Sequence, residues 1–338
     1  MKKKTRLCHS ARGFLRQMQM SGYELWIFVE GPFDRSFYGR LCNTNEQLKK
    51  VCYTVALARE APGFSGDGKQ ALLGIYRYLR AVDGLTSTLD GKSTCILFML
   101  DKDVDDLERT RARSPHVVYT EYYSTENYLF RFGDLSAALS AAAGLDVRSV
   151  TAQVGLDPRS WTRSAAENWR AWVEYCLLMK RLRIPGAANY RLKTSHIHNG
   201  PYGASDKREK EALLAKACQI CGLPTPAFDR ARDSVAKCVR RLYSLGKHDV
   251  VFNGKWYKKF LAEDAKIAAG FRQYFRAKLE DRLPACLLVT LHFSDSWTRH
   301  FHVAIDRAVE VVKSRLPNIG AQVPEAGDST VQVEAKRR

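Results

Sequence analysis

Between Tyr23 and Thr120 the chain alternates four short apolar runs with stretches of helical periodicity, and this alternation constrains the fold more than any other feature. The runs are Tyr23–Val29 (YELWIFV), Val51–Leu57 (VCYTVAL), Thr94–Leu100 (TCILFML) and His116–Thr120 (HVVYT). Each has strand length and is rich in β-branched or aromatic residues. Between them Phe33–Leu41, Lys69–Val82 and Val104–Arg113 read as helices, with Leu72, Leu73, Tyr76 and Leu79 on one side of the second. Strands separated by helices imply an α/β fold with a parallel sheet and right-handed crossovers.

Beyond residue 132 long helical stretches take over: Trp161–Arg183, Asp206–Cys221, Pro226–Leu245, Trp256–Leu283 and Ser294–Leu316. Ile184–Ala204, rich in Gly, Pro, Asn and His, reads as a loop. The tail, 317–338, has few large apolar residues and is expected to be disordered. The expected organisation is a basic N-terminal segment (1–22), an α/β domain (23–132), a mainly α-helical basic domain (133–316) and the tail.

The formal net charge is +18 and is unevenly spread: residues 1–130 hold 19 Lys and Arg against 15 Asp and Glu, residues 131–338 hold 35 against 21. A basic surplus in one half and acids in the other suit a protein that handles a polyanion, with nucleic acid the first candidate. Lys255, Lys258, Lys259, Arg272, Arg276 and Lys278, interleaved with aromatic residues, are candidates for phosphate contact and base stacking. No run of about 18 apolar residues is present, so no membrane span is expected. Nine Cys without framework spacing, among them Cys42, Cys52, Cys95 and Cys286 in apolar contexts, point to buried thiols and a cytoplasmic location.

The first run ends in Val29-Glu30-Gly31-Pro32-Phe33-Asp34, the third in Leu100-Asp101-Lys102-Asp103. In a parallel sheet the carboxyl ends of the strands share one edge, where ligands bind. Glu30, Asp101 and Asp103 are therefore expected to form one site. Grouped carboxylates repel one another unless a cation neutralises them, and hard oxygen ligands select Mg²⁺ or Mn²⁺. Two ions could clamp a phosphodiester, or one could hold it while Glu30 moves a proton. Gly31 would allow a tight turn and close approach of a phosphate. Asp34 reads equally as helix cap or ligand, and Asp105 and Asp106 as a solvated face or cap.

Glu30-Gly31 and Asp101-Lys102-Asp103 resemble the acidic motifs of TOPRIM domains, found in topoisomerases, primases and OLD-family nucleases. Phe28–Tyr38 (FVEGPFDRSFY) and Tyr123–Leu129 (YSTENYL) are similar to the DUF4435 branch, as are, more weakly, Gly254–Tyr257 (GKWY) and Ser296–Phe301 (SWTRHF). The resemblance implies a Rossmann-like fold and a metal-dependent endonuclease, with Glu126 as a further metal-binding acid beside its reading as a helix-terminal charge. It also implies an ABC-type ATPase partner in a bacterial anti-phage system, similar to PARIS, with a toxic effector that cleaves host tRNA, a possible homodimer when active. An OLD-like DNA nickase and a non-catalytic regulatory subunit are the alternatives.

Other motifs carry less. Gly63–Gln70 (GFSGDGKQ) fits the start of a phosphate-binding loop, but Gln70 replaces the hydroxyl residue that holds Mg²⁺. A glycine-rich strand-to-helix turn is the better reading, with Lys69 near enough the sheet edge to meet a phosphate. Cys218 and Cys221 form a lone C-x-x-C, with only His196 and His198 near as further ligands, and read as thiols rather than zinc ligands. His300 and His302 read as packing or substrate-contacting residues.

Overall fold

Side-chain alternation along the two most apolar strands sets the layers. In a computed structural model, which describes residues 10–144, 146–148, 157–184, 198, 200–268 and 279–314, β1 is Leu25–Val29 and β4 is Lys92–Leu100. Leu25, Ile27, Val29, Cys95, Leu97 and Met99 point to one face, while Phe28, Ile96, Phe98 and Leu100 point to the other. Both faces are buried, which matches the continuous apolar runs Leu25–Val29 and Cys95–Leu100.

Five strands form the sheet. β2 (Tyr53–Leu57) and β4 flank β1, both parallel to it. The far edge of β4 is shared by β3 (Thr86–Leu89), antiparallel to its first half, and β5 (Val117–Tyr119), parallel to its last residues. The four sequence-predicted strands are present, and β3 is an addition. Its turn, Asp90-Gly91, has both residues at positive φ (50° and 74°), the two-residue hairpin geometry for which Asp-Gly is suited.

Helix α1 (Ala11–Met20) and α3 (Gly68–Ala81) cover one face of the sheet. Phe14 and Met18, one turn apart, insert against it, so the basic N-terminal segment contributes a packed helix from residue 11. The other face is covered by α2 (Pro32–Asn43) and by α12 (Arg299–Ser314), the last described helix. Phe37 and Tyr38 of α2 meet Phe301 of α12 with ring centroids 6.4 and 5.5 Å apart. Between them lie α4 (Thr125–Phe132), α5 (Leu135–Ala143), α6 (Pro158–Asn168), α7 (Arg170–Arg181), α8 (Lys207–Cys221), α9 (Thr225–Ser244), α10 (Tyr257–Ala268) and α11 (Leu279–Thr290). One apolar core runs from β1 through α2 and α12 to Trp169, Trp172 and Phe252.

Several expectations are corrected. Val104–Arg113 is a series of turns instead of a helix. Asp103 and Arg109 take positive φ (51° and 55°), and Asp105 turns its carbonyl and carboxylate to the amide and hydroxyl of Thr110, bonds that compete with a helix. The stretch 161–183 breaks at Trp169, whose buried indole donates to Pro201 O at 3.0 Å. Cys42 and Cys95 are buried as expected, but Cys52 is exposed and Cys286 half-buried. The tail, most of the 184–204 loop and residues 269–278 lie outside the described residues. Among the described residues no helix is long and apolar enough to cross a membrane.

Because Phe301 is fully buried in a core shared by sheet and helices, Phe301→Ala should cost about 3–5 kcal/mol. Chemical denaturation should show one transition displaced as a whole, not a separate early loss of the C-terminal helices.

Candidate acidic site

Pairing of Val29 with Met99 puts Glu30 and Asp101 side by side where β1 and β4 end. The Asp101 amide donates to Glu30 Oε1 at 2.8 Å. Asp101 in turn accepts from the Thr125 amide at 2.9 Å, at the first turn of α4. There the exposed helix amides favour negative charge. The Thr125 hydroxyl donates to Asp34 Oδ1 at 2.8 Å, which ties α2 to α4 across the site.

Glu126 follows in the same turn. Its Oε1 lies 3.7 Å from Lys255 Nζ, and its Oε2 is buried with no hydrogen-bond partner among the described residues. For Asp34, expected as cap or ligand, the Gly31 amide at the start of α2 favours its charge, and the Thr125 hydroxyl takes one of its oxygens. Gly31 has φ −144°, so no left-handed turn requires it, and a Cβ there would meet Asp34 Oδ2 only at an ordinary 3.4 Å.

Lys69 does not wait for a phosphate. It opens α3 after the glycine-rich turn and donates to Asp101 O (2.6 Å) and Asp103 Oδ2 (2.8 Å), with Asp105 Oδ2 at 2.5 Å. Asp105 is therefore buried in an ion pair, neither a solvated face nor a cap. Asp106 does face solvent, in contact with Arg111. Lys258 lies 3.7 Å from Asp281, Lys259 is over the Trp169 ring, and of the candidate cations among the described residues Lys255 enters the acidic site. Arg272, Arg276 and Lys278 fall outside the described residues, as does His196. His198 is buried against Gly203 O, and Cys218 and Cys221 are half-buried in α8. His300 packs on Tyr128, and His302 meets the Asn45 amide.

Electrostatically the acids are crowded. Burial, only partly opposed by Lys69 and the Asp101 amide, pushes the Glu30 carboxyl up to about 8. Burial and then the nearby Glu126 raise Asp34 to about 6. Asp101 is held well above the usual carboxylate range by burial, with Asp34, Glu30 and Glu126 adding to it. Lys255 is held above the ordinary lysine range, chiefly by Glu126.

Several partners were not legible as site residues. The Thr125 amide and hydroxyl join three elements. The fully buried Asp249 fixes α4: it accepts from Asn127 Nδ2 (3.2 Å), Arg131 (2.7 Å) and the Tyr257 hydroxyl (2.8 Å). Gly254 lies so close to α4 that a Cβ would come 2.5 Å from the Asn127 amide nitrogen. The strings Tyr123–Leu129 and Gly254–Tyr257 held Thr125, Asn127 and Gly254 without showing their roles, and Asp249 carried no sequence signal.

These residues fit a hard divalent cation. The donors are carboxylate oxygens, Glu126 Oε2 is buried without a partner, and the carboxyls raise one another's proton affinity. Glu30, Asp101 and Asp103 each engage one carboxylate oxygen with a protein donor. As they stand, the described residues contain no group of three or more His, Cys, Asp or Glu that could hold a metal ion. In comparisons with known proteins the chain matches no protein-family model and no curated protein. The likeness to TOPRIM domains therefore stands on the residues quoted above.

A carboxyl that binds its proton more tightly in the folded state contributes stability at low pH and loses it as the pH rises through its folded value. For Glu30 and Asp34 that window runs from the ordinary carboxylate range up to about 8 and about 6. The melting temperature of the metal-free protein should fall across it, and Glu30→Gln should flatten the upper part. Mg²⁺ should raise the melting temperature more near the top of the window than near its foot, since cation and proton compete. Gly254→Ala should destabilise by more than about 2 kcal/mol, because a backbone atom stands where its Cβ would lie. Denaturant titration checks the loss.

Proposed function

We propose that this chain is a divalent-metal-dependent phosphodiesterase acting on nucleic acid. The observation that carries the reading is the gathering of Glu30, Asp34, Asp101 and Glu126 at the open end of a parallel sheet, with one buried carboxylate oxygen left without a partner. Glu30, Asp101 and Lys255 line a cleft of about 870 Å³, with room for a strand segment as well as an ion. A net charge of +18 supplies long-range attraction for a polyanion, which the acids alone would repel.

Glu30, Asp101, Asp103 and Glu126 are the residues that would hold the ion. Mg²⁺ or Mn²⁺ bound there would act as a Lewis acid on a phosphoryl oxygen. Asp101, held by the Thr125 amide, gives the site a fixed carboxylate. Glu30, whose proton affinity lies near neutrality, is suited to moving a proton to or from an attacking or leaving oxygen. Lys255 brings a cation to the opposite wall, where it can meet a phosphate oxygen. Lys69 neutralises Asp103 and Asp105 and steadies the turn between them.

The family resemblance extends the proposal to a cytoplasmic, toxic endonuclease effector of anti-phage defence, restrained by an ABC-type ATPase and acting on tRNA. A non-catalytic subunit on the same fold is the second reading. It is favoured by the Lys69 bridge, which neutralises two of the acids without a metal.

Purified protein with Mg²⁺ should cleave total tRNA, or plasmid DNA if the nickase alternative holds, and a chelator should stop it. Glu30→Ala should lower the rate by about 10²-fold or more. Titration calorimetry should show Mg²⁺ or Mn²⁺ binding that Asp101→Asn weakens. Full cleavage by Glu30→Ala would sink the catalytic reading, and absence of metal binding would favour the non-catalytic one.

A further inference from the structure

A second recess, of about 280 Å³, opens beside β5 and is lined by Asp106, Arg109, Arg111, Arg113, Ser114 and Val117 among others. Three arginines come from five consecutive residues of the loop between β4 and β5, against one aspartate. The loop has a fixed shape. The Thr110 amide donates to Asp105 O (3.0 Å), the Ala112 amide to the Tyr119 hydroxyl (3.1 Å) and the Val117 amide to Ser114 O (3.1 Å). Arg109 adopts a left-handed backbone (φ 55°), a conformation uncommon for a side-chain-bearing residue.

The arginines do different work. Arg111 is a fixed part of the wall: its Nη1 donates to Asp106 Oδ1 at 3.0 Å, and its guanidinium lies 4.5 Å from the Tyr119 ring centroid. The side chains of Arg109 and Arg113 have no ion pair or hydrogen bond among the described residues, and both residues are exposed. Neither holds the loop together. Two unpaired guanidinium groups beside a third repel one another unless an anion joins them, and the guanidinium fork matches phosphate oxygens.

Position ties the recess to the acidic site. Lys69 Nζ, which bonds Asp101 O and Asp103, lies 5.5 Å from the centroid of that same Tyr119 ring. Arg111 and Lys69 are therefore separated by no more than the sum of their two distances to the ring. That bound is short enough for one strand to pass both groups within a few nucleotides.

We infer that the Arg109–Arg113 loop is a phosphate-binding subsite, which grips the backbone of a nucleic-acid strand a few nucleotides from the phosphate held at the acidic site. The inference rests on the phosphodiesterase reading for its substrate class. The recess offers guanidinium groups and no exposed aromatic platform, so it grips the backbone irrespective of base sequence.

The test uses the full chain with Glu30→Gln, so that the strand stays intact, and a short fluorescein-labelled oligouridine. Binding is followed by anisotropy between ~50 and ~200 mM salt, with melting temperatures taken in parallel. Adding Arg109→Gln and Arg113→Gln should weaken binding roughly three- to tenfold and lower the slope of log K against log salt by about one to two, at an unchanged melting temperature. The same loss should appear with oligoadenosine. Lys49→Gln, an exposed change before the amino end of β2, serves as the control and should leave the slope unchanged. An unchanged slope in the arginine variants overturns the subsite, as does a loss no larger than that of the control. Cleavage by the parent protein is scored separately. A parent that cleaves while the arginine variants bind normally refutes the subsite alone. A parent that binds through these arginines but never cleaves refutes the phosphodiesterase reading and leaves the subsite.

Discussion

The hydrogen bond from the Asp101 amide to Glu30 Oε1 is the point on which the open end of the sheet depends. Pro32 sits in the first turn of α2, so β1 cannot run on beside β4. The Glu30 side chain takes up the neighbouring amide where the strand stops. That places one carboxylate against the root of another in a half-dry position, and every nearby group answers that charge. The α4 amide at Thr125, the Thr125 hydroxyl, Lys69 and Lys255 each donate to or face an acid. Even so, burial outweighs these partners, and Glu30, Asp34 and Asp101 all hold protons more tightly than carboxyls in water.

The helical region belongs to this arrangement through Asp249. Its carboxylate is fully buried and is matched by Arg131, Asn127 and the Tyr257 hydroxyl, while its carbonyl accepts from the Tyr123 amide at 2.8 Å. Removing one member of such a buried pair strands the other and costs about 3–5 kcal/mol. This cost makes the network a rigid strut between the start of α4 and the segment that carries Lys255. The close approach of Gly254 to Asn127 completes the joint. Lys255 reaches the acids from more than a hundred residues downstream because this polar strut, inside an aromatic shell of Phe252, Trp256 and Tyr257, fixes the path of its backbone.

Much of the fold could be read directly. Runs of alternating or continuous apolar residues located β1, β2, β4 and β5, and the helices α2, α3, α8 and α9 followed their periodicity within a few residues. The failures have physical causes. β3 is short and polar enough to hide, although Asp90-Gly91 signalled its turn. Val104–Arg113 has helical spacing, but its aspartates bond locally and to Lys69, which unwinds it. The stretch 161–183 breaks where Trp169 commits its indole to Pro201. Each of these depends on a partner distant in sequence or on side-chain competition with the backbone, and periodicity records neither.

At the site the sequence by itself determined which acids terminate parallel strands, because strand ends are local and a parallel sheet gathers them on one edge. Glu30, Asp101 and Asp103 follow from that rule. Tertiary structure decided how each acid is used. Lys69 is turned onto Asp103 and Asp105, Asp34 is drawn to Thr125, Glu126 is left with a buried unpaired oxygen, and Lys255 rather than its neighbours Lys258 and Lys259 faces the acids. Those outcomes depend on distances between side chains carried by separate elements and on how far each is withdrawn from water. Only packing of the elements sets either quantity.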